Sequence, residues 1–172
     1  MNTRCILLDW GDTLMRDDPR YSGPMVSWPE VAVIPGALEV LPKLRPQWRL
    51  VLATSADVST EEEIWAALRR VDLDKLLDKV YCFRNTGHKK PSREFYDYIL
   101  QDLGLSAAEV VMVGDHFEAD ILGANRVGIP AIWLNQRTDE IRAGELYRTI
   151  RELSELPLAL GKLAQTVYNQ PL

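Results

Sequence analysis

The chain has 172 residues, of which 47% are hydrophobic and 26% charged, and its formal net charge is −5. This length and apolar content suffice for one domain with a sizeable core, and the mild acidity gives no nucleic-acid-binding signature. Residues 1–4 lack a signal-peptide pattern, and no stretch is long and apolar enough to span a membrane. We therefore expect one cytoplasmic domain over residues 1–172, with Cys5 and Cys82 as buried free thiols.

Short apolar runs alternate with amphipathic stretches along the chain, which is the pattern of parallel βαβ units. Strands are predicted at residues 5–8, 48–53, 80–83, 110–113 and 131–134, with a possible short strand near 147–150. Helices are predicted at residues 37–44, after a cap at 59 or 60, at 92–103, at 117–127 and at 154–166, and residues 84–90 are predicted as a loop. These elements predict a three-layer α/β/α sandwich around a Rossmann-like, doubly wound parallel sheet.

Residues 15–34 interrupt this alternation. Their prolines and glycines argue against a long helix, so we interpret them as a short, irregular, cap-like insertion. Irregular insertions of this length are more often functional than accidental. We expect Arg20, Tyr21 and Trp28 to line the entrance of a site.

Polar residues follow three of the predicted strands, at the edge where the carboxyl ends of parallel strands meet. Asp9 follows the first strand, Thr54 and Ser55 follow the second, and Asp115 follows the fourth. Taken alone, the segment from Asp9 onward is equally consistent with a simple turn. Two converging carboxylates, however, repel each other unless a cation lies between them. Mg²⁺ is a hard ion that prefers such oxygen ligands.

Two further residues extend this pattern. Lys90 precedes the helix that leads to the fourth strand, and Asp120 follows Asp115 by five residues. A hydroxyl group and a lysine beside a metal ion form a site for a phosphoryl group. A carboxylate there can attack phosphorus and form an acyl phosphate. The residues alone therefore predict metal-assisted phosphoryl transfer.

Four segments resemble, in order and spacing, the four motifs of the haloacid dehalogenase-like hydrolase superfamily. The segments are DWGDTL at residues 9–14, LATS at 52–55, KP at 90–91 followed by Phe95, and VGDHFEADILGA at 113–124. One such motif is a weak signal, whereas four in the right order are specific.

This resemblance implies a role for each matching residue. Asp9 would be the nucleophile that forms an aspartyl phosphate. Asp9, the main-chain carbonyl of Gly11 and Asp115 would bind Mg²⁺, and Asp120 would complete the metal site or orient Lys90.

The resemblance also implies how a phosphoryl group is held. Thr54 and Ser55 would bind its oxygens, and Lys90 would neutralise the charge of the nucleophile and of the phosphoryl group. Because only residues 15–34 are available as a cap, the chain resembles a nearly capless member with an open site. An open site suits a small phosphorylated metabolite, a phosphorylated macromolecule, or closure by a second subunit of a homo-oligomer.

The chain departs from the family pattern at Gly11. Family phosphatases carry a second aspartate at this position as general acid and base, whereas here the aspartate is Asp12. A shift of one residue redirects a side chain, and acid–base assistance contributes roughly a hundred- to ten-thousand-fold to the rate. We predict an Mg²⁺-dependent phosphomonoesterase with Asp12 as the candidate acid–base residue. The alternatives are phosphotransfer, dehalogenation, or a binding protein with weakened catalysis.

Overall fold

The computed structural model describes residues 4–168, with side chains through residue 163. Residues 1–3, which belong to the segment judged to lack a signal-peptide pattern, lie outside the described residues. The strands are β1 (Arg4–Leu8), β2 (Trp48–Ala53), β3 (Lys79–Tyr81), β4 (Val110–Gly114), β5 (Ala131–Leu134) and β6 (Tyr147–Ile150). The helices are α1 (Ala37–Leu44), α2 (Glu61–Arg69), α3 (Phe83–Thr86), α4 (Arg93–Leu103), α5 (Gly123–Asn125) and α6 (Leu156–Tyr168).

The six strands form one parallel sheet in the order β3-β2-β1-β4-β5-β6, which confirms the predicted doubly wound α/β fold. The chain runs from β1 outward to β3 and then crosses back to β4, so the strand order reverses between β1 and β4. In open α/β sheets, ligands bind in the crevice at this reversal. Leu8 of β1 pairs with Val113 of β4, so the residues that follow these two strands are neighbours in space.

Two apolar layers cover the sheet, because alternate side chains of a strand point to opposite faces. In β1, Ile6 and Leu8 join the layer packed against α1, α2 and α6, whereas Cys5 and Leu7 join the layer packed against α4 and α5. The prediction that Cys5 and Cys82 are buried free thiols is confirmed. Among residues 4–168, no helix combines the length and the apolarity needed to cross a bilayer.

Two predicted elements differ in the structure. The third strand ends at Tyr81 rather than at Phe83, and helix α3, which begins at Phe83, covers the first part of the segment 84–90 that was expected to be a loop. The Asn85 side chain stabilises this turn by accepting a hydrogen bond from the Cys82 N–H. The helix expected at residues 117–127 begins as a π-helical segment, Phe117–Leu122, and continues as the short helix α5. Wider turns of this kind are frequent at functional sites.

Residues 15–34 form a closed loop that contains a single 3₁₀ turn, Met25–Ser27. Its two ends are joined by a bridge between Met15 and Val33. Arg70, which directly follows α2, donates hydrogen bonds to the main-chain carbonyls of Val26 and Trp28. The loop is therefore fixed against the body of the fold.

Candidate active site

Three carboxylates meet at the crevice between β1 and β4. Asp9, Asp115 and Asp120 each offer an oxygen, and these oxygens all lie within 4.8 Å of one another. Asp9 and Asp115 follow adjacent strands, and Asp120 reaches back from the π-helical segment, where its Oδ2 accepts the His116 N–H at 2.9 Å. Gly114 permits this approach, since a Cβ atom at that position would overlap the Asp120 carboxylate.

Lys90 bridges two of these carboxylates, Asp9 and Asp120. Its Nζ is 2.7 Å from Asp9 Oδ1 and 2.6 Å from Asp120 Oδ1, and its side chain is only 3% exposed. Burial alone would lower the pKa of Lys90, but the carboxylates of Asp120 and Asp9 outweigh it and raise that pKa above its usual value. The lysine is therefore held as a cation between two carboxylates.

The remaining negative charge is not fully compensated by Lys90. Burial, together with the carboxylates of Asp9 and Asp120, raises the pKa of Asp115 to about 7. Burial is also the main cause that raises the pKa of Asp120, against the opposing effect of Lys90. A cation among these oxygens would favour their charged forms, and an all-oxygen donor set fits Mg²⁺. The residues present therefore fit a magnesium ion.

A cavity of about 410 Å³ opens beside Asp9, Lys90 and Asp120. Its floor includes Asp9, Gly11, Thr54 and Lys90, and the insertion contributes part of its wall. The lining residues from the insertion include Tyr21, Met25 and Trp28. Tyr21 and Trp28 thus lie where the sequence placed them, whereas Arg20 forms an ion pair with Asp18 instead.

Thr54 and Ser55 lie at the end of β2 and also line this cavity. The buried Thr54 hydroxyl accepts the N–H of Ala56 at 3.1 Å. The Ser55 hydroxyl accepts the main-chain N–H of Lys90 at 3.0 Å, so it also positions the segment that carries the lysine. Both hydroxyl groups still have a proton to donate.

Asp12 points to a different part of the surface. Its backbone has a φ of 55°, a left-handed conformation that few residues other than glycine adopt. The Asp12 carboxylate accepts the main-chain N–H of Asp17 at 3.0 Å and forms an ion pair with Arg137. It lines a second depression, shared with Arg16, Asp115 and Arg137. This geometry favours a structural role for Asp12 over the acid–base role considered from the sequence.

Asp17 is a cavity residue that the sequence reasoning missed. It lines the same cavity as Asp9 and Gly11. Burial raises its pKa, and the nearby carboxylates of Asp12 and Asp9 raise it further. In the sequence, Asp17 and Asp18 precede a proline and read only as part of a turn. No spacing rule connects Asp17 with Gly11, so the sequence offers no signal for this contact.

Comparison with known proteins agrees with this architecture. A chain of an uncharacterized protein from Listeria monocytogenes serotype 4b is 30% identical, with a TM-score of 0.83 and coverage of 94% of this chain and 99% of that chain. The HAD-hydrolase YfnB from Bacillus subtilis, whose crystal structure has magnesium bound, is 27% identical with a TM-score of 0.65. That alignment covers 75% of this chain and 55% of YfnB.

A curated relative is the ribulose-1,5-bisphosphate 5-phosphatase of Halopiger xanaduensis, which is 31% identical over 159 residues. The alignment covers 91% of this chain but 64% of the relative, so the chain spans less than two thirds of that protein's length.

The fold and the site together define a Rossmann-like α/β protein with a cluster of carboxylates and a buried lysine at the reversal of strand order. Residues 19–134 match the family described as haloacid dehalogenase-like hydrolase. The chain belongs to this family.

Proposed function

We propose that this protein is an Mg²⁺-dependent phosphomonoesterase with Asp9 as its nucleophile. The observation that carries the proposal is the way in which the Asp9 carboxylate is held at the floor of the cavity. Its Oδ1 contacts Lys90 Nζ at 2.7 Å, and its Oδ2 accepts the Thr13 hydroxyl at 3.2 Å. A nucleophile oriented in this way faces a substrate without rearrangement, which lowers the entropic part of the barrier.

Each neighbouring residue has a role in this proposal. Asp9, the Gly11 carbonyl and Asp115 would hold Mg²⁺, with Asp120 completing the site. When bound, Mg²⁺ supplies positive charge next to a phosphoryl oxygen. Lys90 contributes a second positive charge next to Asp9.

The chemistry proceeds in two displacements at phosphorus. An Asp9 oxygen attacks phosphorus while the bond to the ester oxygen breaks, which leaves an aspartyl phosphate and the alcohol. Water then attacks phosphorus, and the bond to Asp9 breaks to release inorganic phosphate. The Thr54 hydroxyl and the main chain at Ser55 bind the phosphoryl oxygens in both steps.

The size of the cavity favours a small phosphorylated metabolite over a phosphorylated macromolecule. A volume of about 410 Å³ is within the range of small-molecule sites. The Halopiger xanaduensis relative is itself a phosphatase of a sugar bisphosphate. We further propose that residues 15–34 act as a minimal cap of a single domain, because they supply one wall of the cavity.

The proposal is tested by phosphate release from p-nitrophenyl phosphate, sugar phosphates, nucleotides and a phosphopeptide, with Mg²⁺ or with EDTA. We expect Mg²⁺-dependent release from at least one small substrate and its loss in the Asp9→Asn variant. Asp139→Asn is the matched control, since that carboxylate is 97% exposed and pairs with Arg151. Absence of release from every substrate, or full activity of Asp9→Asn, would contradict the proposal.

The glycine at position 11 favours a second candidate, the cleavage of a carbon–halogen bond. Halide leaves without being protonated, so this reaction needs the Asp9 nucleophile but no acid beside it. Halide release from 2-chloropropionate, measured on the same preparation, distinguishes the two reactions. Phosphate release without halide release supports the phosphatase.

A further inference from the structure

We infer that Asp17 supplies the acid–base carboxylate that position 11 lacks. This inference rests on the proposed phosphatase function. A Cβ atom built on Gly11 would lie 3.3 Å from Asp17 Cβ and 3.5 Å from Asp17 Oδ2. The Asp17 carboxylate thus occupies the space into which a side chain at position 11 would extend. Asp17 also lines the cavity together with Asp9.

The turn that contains Asp12 explains how Asp17 reaches this place. The Asp12 carboxylate accepts the Asp17 N–H at 3.0 Å and is itself paired with Arg137. Through this contact Asp12 fixes the backbone of Asp17 beside Gly11. In this arrangement Asp12 is a positioning residue, and Asp17 is the residue that meets the substrate.

The Asp17 carboxylate is also available for proton transfer. The other two acidic residues that line the cavity, Asp9 and Asp120, both bind Lys90. Asp18, the next residue along the chain, is paired with Arg20. Within residues 4–163, by contrast, no hydrogen bond or ion pair holds the Asp17 side chain. Its oxygens can therefore exchange a proton with a bound ester or water.

Asp17 can then supply and take up the protons that the two displacements require. In its acid form, Asp17 gives a proton to the ester oxygen as the bond from that oxygen to phosphorus breaks and the bond from Asp9 forms. In its carboxylate form, it takes a proton from the water whose oxygen attacks phosphorus as the Asp9 bond breaks. The products are the alcohol, phosphate, free Asp9 and reprotonated Asp17.

The test compares Asp17→Asn with Asp18→Asn on an aryl phosphate and an alkyl phosphate. An alkoxide is a poor leaving group and needs protonation, whereas p-nitrophenolate is a good leaving group and needs none. We expect Asp17→Asn to lower kcat/KM on the alkyl phosphate by roughly a hundred- to ten-thousand-fold, with a clearly smaller effect on kcat/KM for p-nitrophenyl phosphate, because this ratio reports the step that forms the aspartyl phosphate. Asp18→Asn keeps both activities, and the Mg²⁺ concentration for half-maximal activity stays the same in both variants.

A double variant moves the carboxylate to position 11. In Gly11→Asp alone, the new Cβ atom lies 3.3 Å from Asp17, which is crowded. In Gly11→Asp combined with Asp17→Gly, that space is cleared, and we expect alkyl phosphate turnover to exceed that of Asp17→Asn at least tenfold.

Two kinds of result overturn the inference and can be told apart. If the unchanged protein releases phosphate and Asp17→Asn lowers kcat/KM equally for both substrates, changes it for neither, or raises the Mg²⁺ requirement, Asp17 is not the acid–base residue. If the unchanged protein releases no phosphate from either ester, the proposed function fails and the inference fails with it.

Discussion

Replacing Lys90 with methionine probes the charge balance of the site most directly. Methionine keeps the length and apolar part of the side chain but leaves the Asp9 and Asp120 carboxylates without their cation. The Lys90 side chain is 3% exposed and makes contacts of 2.7 and 2.6 Å to these two groups. Removing one partner of such a buried pair lowers the free energy of unfolding by about 3–5 kcal/mol. For a chain of this size, each kcal/mol shifts Tm by about 2–4 °C, so we expect Tm to fall by roughly 6–20 °C.

The assay is thermal and urea denaturation at pH 8 in EDTA, which removes bound divalent cations. The pKa of Lys90 is raised in the folded state, so its contribution to stability is complete below the unfolded value of about 10.4. That contribution is lost only as the pH rises through the folded pKa. The measurement at pH 8 therefore captures its full effect.

Two variants control this experiment. Lys89→Met removes the neighbouring lysine, whose ion pair with Asp57 is exposed, and should change stability by less than about 1 kcal/mol. Adding Asp120→Asn to Lys90→Met removes one of the unpaired charges and should recover part of the lost stability. Equal stability of the Lys89→Met and Lys90→Met variants, or no recovery in the double variant, would refute the reasoning.

Three further predictions follow from the same contacts. Mg²⁺ at a hundred times its Kd should stabilise the folded state by about 2.7 kcal/mol in thermal denaturation, and Asp115→Asn should reduce this gain; an unchanged gain would place the ion elsewhere. Asp12→Ala should lower kcat/KM on an alkyl phosphate more than on p-nitrophenyl phosphate, because it releases the Asp17 N–H, whereas Asp12→Asn keeps an acceptor oxygen and should retain more activity; an equal loss for both substrates would contradict the positioning role of Asp12. Burial raises the pKa of the Cys5 thiol to about 12, so Ellman's reagent should leave Cys5 unlabelled in the native protein and label both cysteines in guanidinium; rapid native labelling of Cys5 would contradict its burial.

Much of the fold was predictable because its signals are local. The apolar run of β1 predicts a strand buried on both faces, and each of its residues from Cys5 to Leu8 is fully buried. The loop predicted at residues 84–90 was wrong for the residues of α3, because a single turn is held by individual contacts, such as the Asn85 side chain on the Cys82 N–H, rather than marked by periodicity. The π-helical segment Phe117–Leu122 was predicted as part of an ordinary helix, because the spacing of its apolar residues does not distinguish the two.

The candidate site likewise has some features that the sequence predicts and others that it does not. The sequence by itself placed Asp9, Thr54, Lys90 and Asp115 at one edge, because parallel strands that alternate with helices bring their carboxyl ends together. Only the tertiary structure decided where the carboxylates beside Gly11 point. The orientation of these carboxylates depends on the left-handed turn at Asp12 and on the ion pair with Arg137, which lies 125 residues beyond Asp12 in the chain. A contact between such distant residues leaves no pattern in the local sequence, so the position of Asp17 beside Gly11 emerges only when the chain is folded.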